Sequence, residues 1–201
     1  MATLKSLHRD ILRCRICREA PQFGEPLPHQ PRPVLQLSSQ ARLAVFSQAP
    51  GNIAHQTGVP FNDPSGNRLR DWLGLSREEF YDTDKLAIIP MGFCFPGYDG
   101  KGGDLPPRKE CAPAWRAQVM EKTPQIETAI LVGGYSQKWH LGKDASKTLT
   151  QTVANWRAFA PRFFPIPHPS WRNTGWLKKN PWFEADVLPL LRRRVRELIK
   201  N

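Results

Sequence analysis

At 201 residues, 40% hydrophobic and 23% charged, the chain has the size and composition of one globular domain over residues 1–201, which excludes wholesale disorder. No apolar run approaches the ~20 residues of a membrane span, so no membrane contact is expected. Its 29 Lys and Arg against 18 Asp and Glu give a formal charge of +11, and a basic excess suits either a polyanion such as nucleic acid or a soluble basic surface.

The opening stretch, MATLKSLHRDILRCRICREA, scatters charges through its apolar positions and offers no secretory segment, so a cytoplasmic protein is expected. A monomer is expected as well. Leu4, Leu7, Ile11 and Leu12 recur at helical spacing behind Thr3, an N-cap residue, and predict a helix over 3–13 that delivers Cys14 and Cys17 at its end. Five prolines in residues 21–33 mark an extended connector. The run LAVF at 43–46, bounded by polar residues and then Pro-Gly, reads as a buried parallel strand. A loop is expected from Ser47 to about Ser65. A helix over 67–75 follows, with Leu69, Trp72 and Leu73 on one face and Gly74 as its stop.

LAII at 86–89 reads as the second strand, closed by Pro90. Residues 97–107 are a Gly- and Pro-rich loop, and 108–120 a helix. TAILV at 128–132 is the third strand, closed by Gly133-Gly134, with a short helix over 135–141; residues 162–166 are the fourth, closed by Pro167. Leu188, Leu191, Val195 and Leu198 form the stripe of a last helix, with Arg192, Arg193, Arg194 and Arg196 mostly off it, as a solvated face or as phosphate contacts. Short apolar strands separated by helices describe an α/β fold, a three-layer α/β/α arrangement around a central four-stranded, mostly parallel sheet. Ligands of such sheets bind at the carboxyl ends of the strands.

The four cysteines, Cys14, Cys17, Cys94 and Cys111, form C-x2-C, a long gap, then C-x16-C. In a reducing compartment the close pair points to metal or redox chemistry, and four thiolates suit a [4Fe–4S] cluster or a tetrahedral zinc. The wide second spacing fits the larger cluster more easily. The surrounding pattern lacks the βαβ context of a redox C-x2-C, and four unrelated buried cysteines are the remaining reading.

The loops at the strand ends hold S-Q-A-P-G at 47–51, G-V-P-F at 58–61 and H-P-S at 168–170. In this order, and together with the cysteine spacing, they resemble the uracil-DNA glycosylase superfamily, closest to the iron–sulfur-containing family 4 type with its G-E-x-P-G, G-x-P-F and H-P-S elements. The stretch A-H-Q-T-G-V-P-F at 54–61 is also similar to a loop of the single-strand-selective monofunctional type. The resemblance implies a DNA repair hydrolase that flips a nucleotide and cleaves the N-glycosidic bond of uracil or another deaminated base without a Schiff-base lysine. It implies a catalytic donor at His168, a stacking face at Phe61 beside Asn62 and Gly51, and DNA contacts from Ser47, Ser170, Trp171 and Arg172. It implies a [4Fe–4S] cluster on the four cysteines, with zinc as the alternative.

Two positions depart from the family pattern. Gln48 stands where family 4 has a glutamate, and an amide accepts no proton at neutral pH, so it orients water at most; by position, Asp63, two residues after Phe61, or Asn62 beside it takes that role. Pro90 stands where the family reads uracil with an asparagine, which opens the pocket to another base. The rival reading is a non-catalytic or specificity-shifted DNA-binding protein on the same fold. The basic excess lies mainly at the ends, with 9 basic and 3 acidic residues in 161–201 against 13 and 12 in 43–160. It runs from the H-P-S loop through Arg172, Lys178 and Lys179.

Overall fold

The four apolar runs become four strands, β1 (Leu43–Phe46), β2 (Leu86–Ile88), β3 (Thr128–Val132) and β4 (Phe163–Ile166), in a computed structural model that describes residues 3–200. Met1, Ala2 and Asn201, the outermost positions of the expected domain, lie outside the described residues. The sheet order is β2-β1-β3-β4 and every strand pairing is parallel, with Leu43 opposite both Leu86 and Thr128 and Ala129 opposite Phe163. The sheet is thus wholly rather than mostly parallel. An antiparallel contact reaches it only as an isolated bridge, where the Gln36 and Ile88 amides each donate to the other's carbonyl at 2.8 Å.

Helices cover both faces: α1 (Leu4–Leu12), α2 (Ile16–Glu19), α3 (Asn52–Thr57), α4 (Pro64–Leu73), α5 (Arg77–Tyr81), α6 (Cys111–Glu121), α7 (Gly134–Leu141), α8 (Leu149–Ala154), α9 (Thr174–Lys179) and α10 (Leu188–Ile199). Alternation along each strand splits the core in two. Leu43, Val45, Ile130 and Ile166 point to the face packed by Leu69 and Trp72 of α4 and Leu191 and Val195 of α10. Ala44, Phe46, Ala129 and Leu131 point to the opposite face, packed by Leu7 and Ile11 of α1 and Val119 of α6. Because both faces are buried, the strands read as unbroken apolar runs.

Three expectations are corrected. The loop expected over 47–65 contains α3, and α4 begins before Asn67, because Asp63 caps it through Oδ1 and the Gly66 amide at 2.8 Å with Pro64 in the first turn. The helix expected from Arg108 begins at Cys111, since the preceding residues bind the connector: Arg108 donates to the Phe23 and Glu25 carbonyls, and Glu110 Oε1 accepts from the Gln22 and Phe23 amides. Three of the four C-terminal arginines, though Arg192 stays exposed, bind other parts of the protein instead of standing free for phosphate. Arg192 donates to the Asp71 and Trp72 carbonyls at the end of α4, Arg196 to Gly74 O and Glu79, and Arg194 to Glu127 and Glu197.

Candidate active site

A cleft of about 690 Å³ opens at the carboxyl ends of the strands. Its walls are the turn after β1 (Ser47–Gly51), Pro90 after β2, Tyr135 after β3 and the segment His168–Asn173 after β4, with Phe61 and Asp63 from the approach to α4. This is the place where a parallel sheet whose connections leave β1 in both directions holds ligands. Of the expected catalytic, base-binding and DNA-binding residues, all but Asn62 line this cleft. Asn62 instead accepts from Arg77 at 2.8 Å through Oδ1.

Phe61 has φ of +54°, a left-handed conformation that a bulky residue rarely adopts. The surroundings enforce it. A Cβ at Gly66 would overlap the Phe61 carbonyl oxygen and lie 2.6 Å from its carbonyl carbon, so only glycine lets α4 approach this closely. The Phe61 ring also meets Phe80 edge to face at 6.2 Å. The strain is therefore held by packing and presents an aromatic face to the cleft.

His168 is fixed by Asn173, whose side-chain amide donates to the His168 carbonyl at 2.7 Å. Burial holds its imidazole below the ordinary range, with the Asp63 carboxylate opposing, so the ring is neutral at pH 7. Arg68 of α4 donates to the Ser170 carbonyl at 2.8 Å and ties the loop after β4 to the first face of the sheet. Trp171, 74% exposed, stands at the mouth with the Arg172 guanidinium 5.8 Å from its ring centroid. The buried Ser47 carbonyl accepts from Met91 and the Gln48 carbonyl from Gly92, which joins the turns after β1 and β2. The Gln48 side chain packs on Gly133, where a Cβ would lie 3.0 Å from the Gln48 amide carbon.

Sequence reasoning missed Tyr135, exposed at the cleft, and Asp104, whose Oδ2 would lie 3.5 Å from a Cβ at Gly51. Asp104 sits in a loop readable only as Gly- and Pro-rich, and no local pattern announces where such a loop folds back. Pro90 lines the cleft as the sequence comparison implied, and its carbonyl accepts from the buried Arg116 at 3.2 Å.

The four cysteines are free and line a second, smaller cavity of about 20 Å³, together with Phe93, Arg108, Glu110 and Trp115. The Phe93 amide donates to Cys111 Sγ at 3.3 Å, while the Trp115 indole nitrogen is buried without a partner. Burial pushes the Cys94 thiol up to about 12, with Cys17 and Cys14 adding to the shift, and also raises Cys17 and Cys111. Among the described residues no three His, Cys, Asp or Glu side chains come close enough together to hold a single metal ion. None of the described helices is long and apolar enough to cross a membrane.

Among solved structures the chain is similar to the solution NMR structure of a protein from Methanosarcina acetivorans described as a candidate uracil DNA glycosylase. The identity is 11% and the TM-score 0.47, over 80% of this chain and 94% of that one, a likeness too distant to carry function. The family model described as the uracil DNA glycosylase superfamily matches residues 35–192, a span that runs from the connector before β1 through the cleft segments into α10. The chain belongs to the uracil DNA glycosylase superfamily.

Proposed function

We propose that the protein is a monofunctional DNA glycosylase that flips a deaminated nucleotide, bearing uracil or a related base, into the cleft and hydrolyses its N-glycosidic bond. The observation that carries this reading is the meeting of a strained aromatic face, a neutral imidazole and an exposed tryptophan–arginine pair in one open cleft. The reaction requires each of them. The flipped base stacks on Phe61. A His168 N–H hydrogen-bonds the negative charge that develops on the departing base, and a neutral ring serves because it is not itself deprotonated in the process. Ser47, Ser170 and the Pro50-Gly51 turn take the neighbouring phosphates, Arg172 adds charge there, and Trp171 fills the space the base has left. Gln48 orients water.

One observation favours a shifted base specificity within this reading: Pro90 lines the cleft with no polar side chain, and its carbonyl is already occupied by Arg116. The test is a panel of single- and double-stranded oligonucleotides carrying uracil, hypoxanthine or xanthine, with alkaline cleavage at the resulting abasic site. Release from at least one is expected, falling about 100-fold or more in His168→Ala with DNA affinity kept. No release from any of them, with tight retention of DNA, would make the protein a binding module.

For the cysteines we propose a [4Fe–4S] cluster held by Cys14, Cys17, Cys94 and Cys111. Supporting it are their shared cavity, the Phe93 amide on Cys111 and the orphaned Trp115 N–H, a donor suited to sulfur. Zinc would draw four thiolates to about 3.8 Å from one another, as its 2.3 Å bonds require. The wide sequence spacing of Cys94 and Cys111 fits the larger centre more easily. The cluster would supply a cross-link joining α2, the segment after β2 and α6, and the residues of the cleft perform the hydrolysis.

A further inference from the structure

The hydrolysis needs an acceptor for the proton of the attacking water, and this requirement rests on the glycosylase reading above. Three side chains of the cleft compete for the task. Gln48 is an amide and has no basic site at neutral pH. Asp63 has one oxygen committed to the Gly66 amide at 2.8 Å, as the N-cap of α4. Asp104 accepts no hydrogen bond among the described residues, so both of its oxygens are available to water.

Asp104 is also held in place. The Asp99 amide donates to the Gly103 carbonyl at 2.7 Å, and Asp99 Oδ1 accepts from the Lys101 and Gly103 amides, each at 2.8 Å. Tyr98 and Asp104 form an antiparallel bridge, and the Leu105 amide donates to Gly97 O at 2.9 Å. The loop over 97–105 is thus closed on itself. Arg172, from the segment after β4, packs against it: a Cβ at Gly103 would lie 3.2 Å from Arg172 Nη1. Asp104 therefore stands between the turn after β1, at Gly51, and the segment after β4 that carries His168, with Cys94 and Cys111 bracketing its loop on either side.

We propose that Asp104 is the catalytic base. The water oxygen bonds to C1′ of the flipped nucleotide as the C1′–N bond breaks. The bonding pair leaves with the base, whose charge the His168 N–H meets, and the proton of the water passes to an Asp104 oxygen. Partial burial holds the Asp104 carboxyl above the usual carboxylate range; Arg172 opposes this, and Asp63 and Asp99 add to it. The group is thereby a better proton acceptor than an ordinary aspartate.

The test is single-turnover base release by Asp104→Asn, Asp104→Glu and Asp63→Asn, on the oligonucleotide that the base panel identifies. Asp104→Asn is expected to slow release at least 100-fold with DNA affinity within about twofold of the parent, and to erase the acid limb of the pH profile. Asp104→Glu should restore part of the rate and that limb. Asp63→Asn, which keeps a good N-cap, should slow release far less. Release by Asp104→Asn near the parental rate, or a loss that follows DNA affinity, overturns Asp104 as the base and leaves the glycosylase reading standing. A parent protein that releases no base overturns both.

Discussion

The cleft and the cysteine cavity share one stretch of chain, Pro90–Cys111, and differ in size and polarity. Pro90, Pro96 and Asp104–Pro107 wall the cleft, which is about 690 Å³ and open, with water-accessible carboxylates and an exposed tryptophan. Gly92, Phe93, Cys94, Arg108, Glu110 and Cys111 wall the other, which is about 20 Å³ and lined by thiols whose burial disfavours their ionised form. The first is shaped to exchange a ligand with solvent. The proposed cluster would fill the second once, during folding, because buried thiols become thiolates only with a cation among them. The same loop carries Asp104 between Cys94 and Cys111, so the proposed cluster would anchor a wall of the cleft at both ends.

The sharpest way to break that contrast is to empty the cysteine site. Structural metal sites contribute on the order of 10 kcal/mol in small domains. Here two hydrophobic clusters remain on the sheet faces, so Cys111→Ala is expected to cost part of that, with a fall in melting temperature of about 10 °C or more. Visible absorption and the content of iron and sulfide are expected to vanish with it. Base release should fall as well, through the loosened Asp104 loop. A colourless parent protein containing zinc, or a variant of unchanged stability, would remove the division into an exchanging and a permanent site.

Next in size is the strain on the cleft side. Alanine in a helix is ordinarily better than glycine by about 1 kcal/mol, yet Gly66→Ala should destabilise the protein by about 2 kcal/mol or more, because the new methyl collides with the Phe61 carbonyl. Gly175→Ala in α9 is the control, since a Cβ there meets nothing within 4 Å, and it should be neutral or slightly stabilising. Denaturant midpoints separate the two. Equal midpoints for both variants would mean that Phe61 is not held by α4.

What the sequence disclosed follows the same physical division. β1 to β4 were legible because burial on both faces leaves unbroken apolar runs, and α1 and α10 because their apolar residues keep one helical face. The short helices α3, α5, α8 and α9 were missed. At five or six residues they are too short to show a periodicity; α5 is capped by Ser76 with Glu79 and α8 by Thr148, while α3 and α9 have no side-chain cap. Motif order singled out His168, Phe61 and the turn after β1, which the fold gathers at one cleft. Asp104 was not singled out, because its position depends on how the loop over 97–105 closes, a tertiary fact without a local pattern.

The smallest expected effect concerns the charge at the mouth of the cleft. Of the basic residues in the last segment, Arg192, Arg194 and Arg196 are spent on carbonyls and carboxylates of the protein itself. Lys178 and Lys179 are different. They are exposed in α9, directly after the segment that carries Trp171 and Arg172, and form no ion pair among the described residues. Each phosphate neutralised contributes about 0.9 to the slope of log affinity against log salt on duplex DNA and about 0.7 on single strands. Lys178→Gln with Lys179→Gln should therefore reduce that slope by about 1.4 to 1.8, and weaken binding severalfold at low salt with little effect at high salt. Rates at saturating DNA should hold, since neither lysine lines the cleft. An unchanged slope would return both lysines to solubility alone and confine the DNA-contacting charge to Arg172 and the cleft wall, where the contrast between the two cavities already places the chemistry.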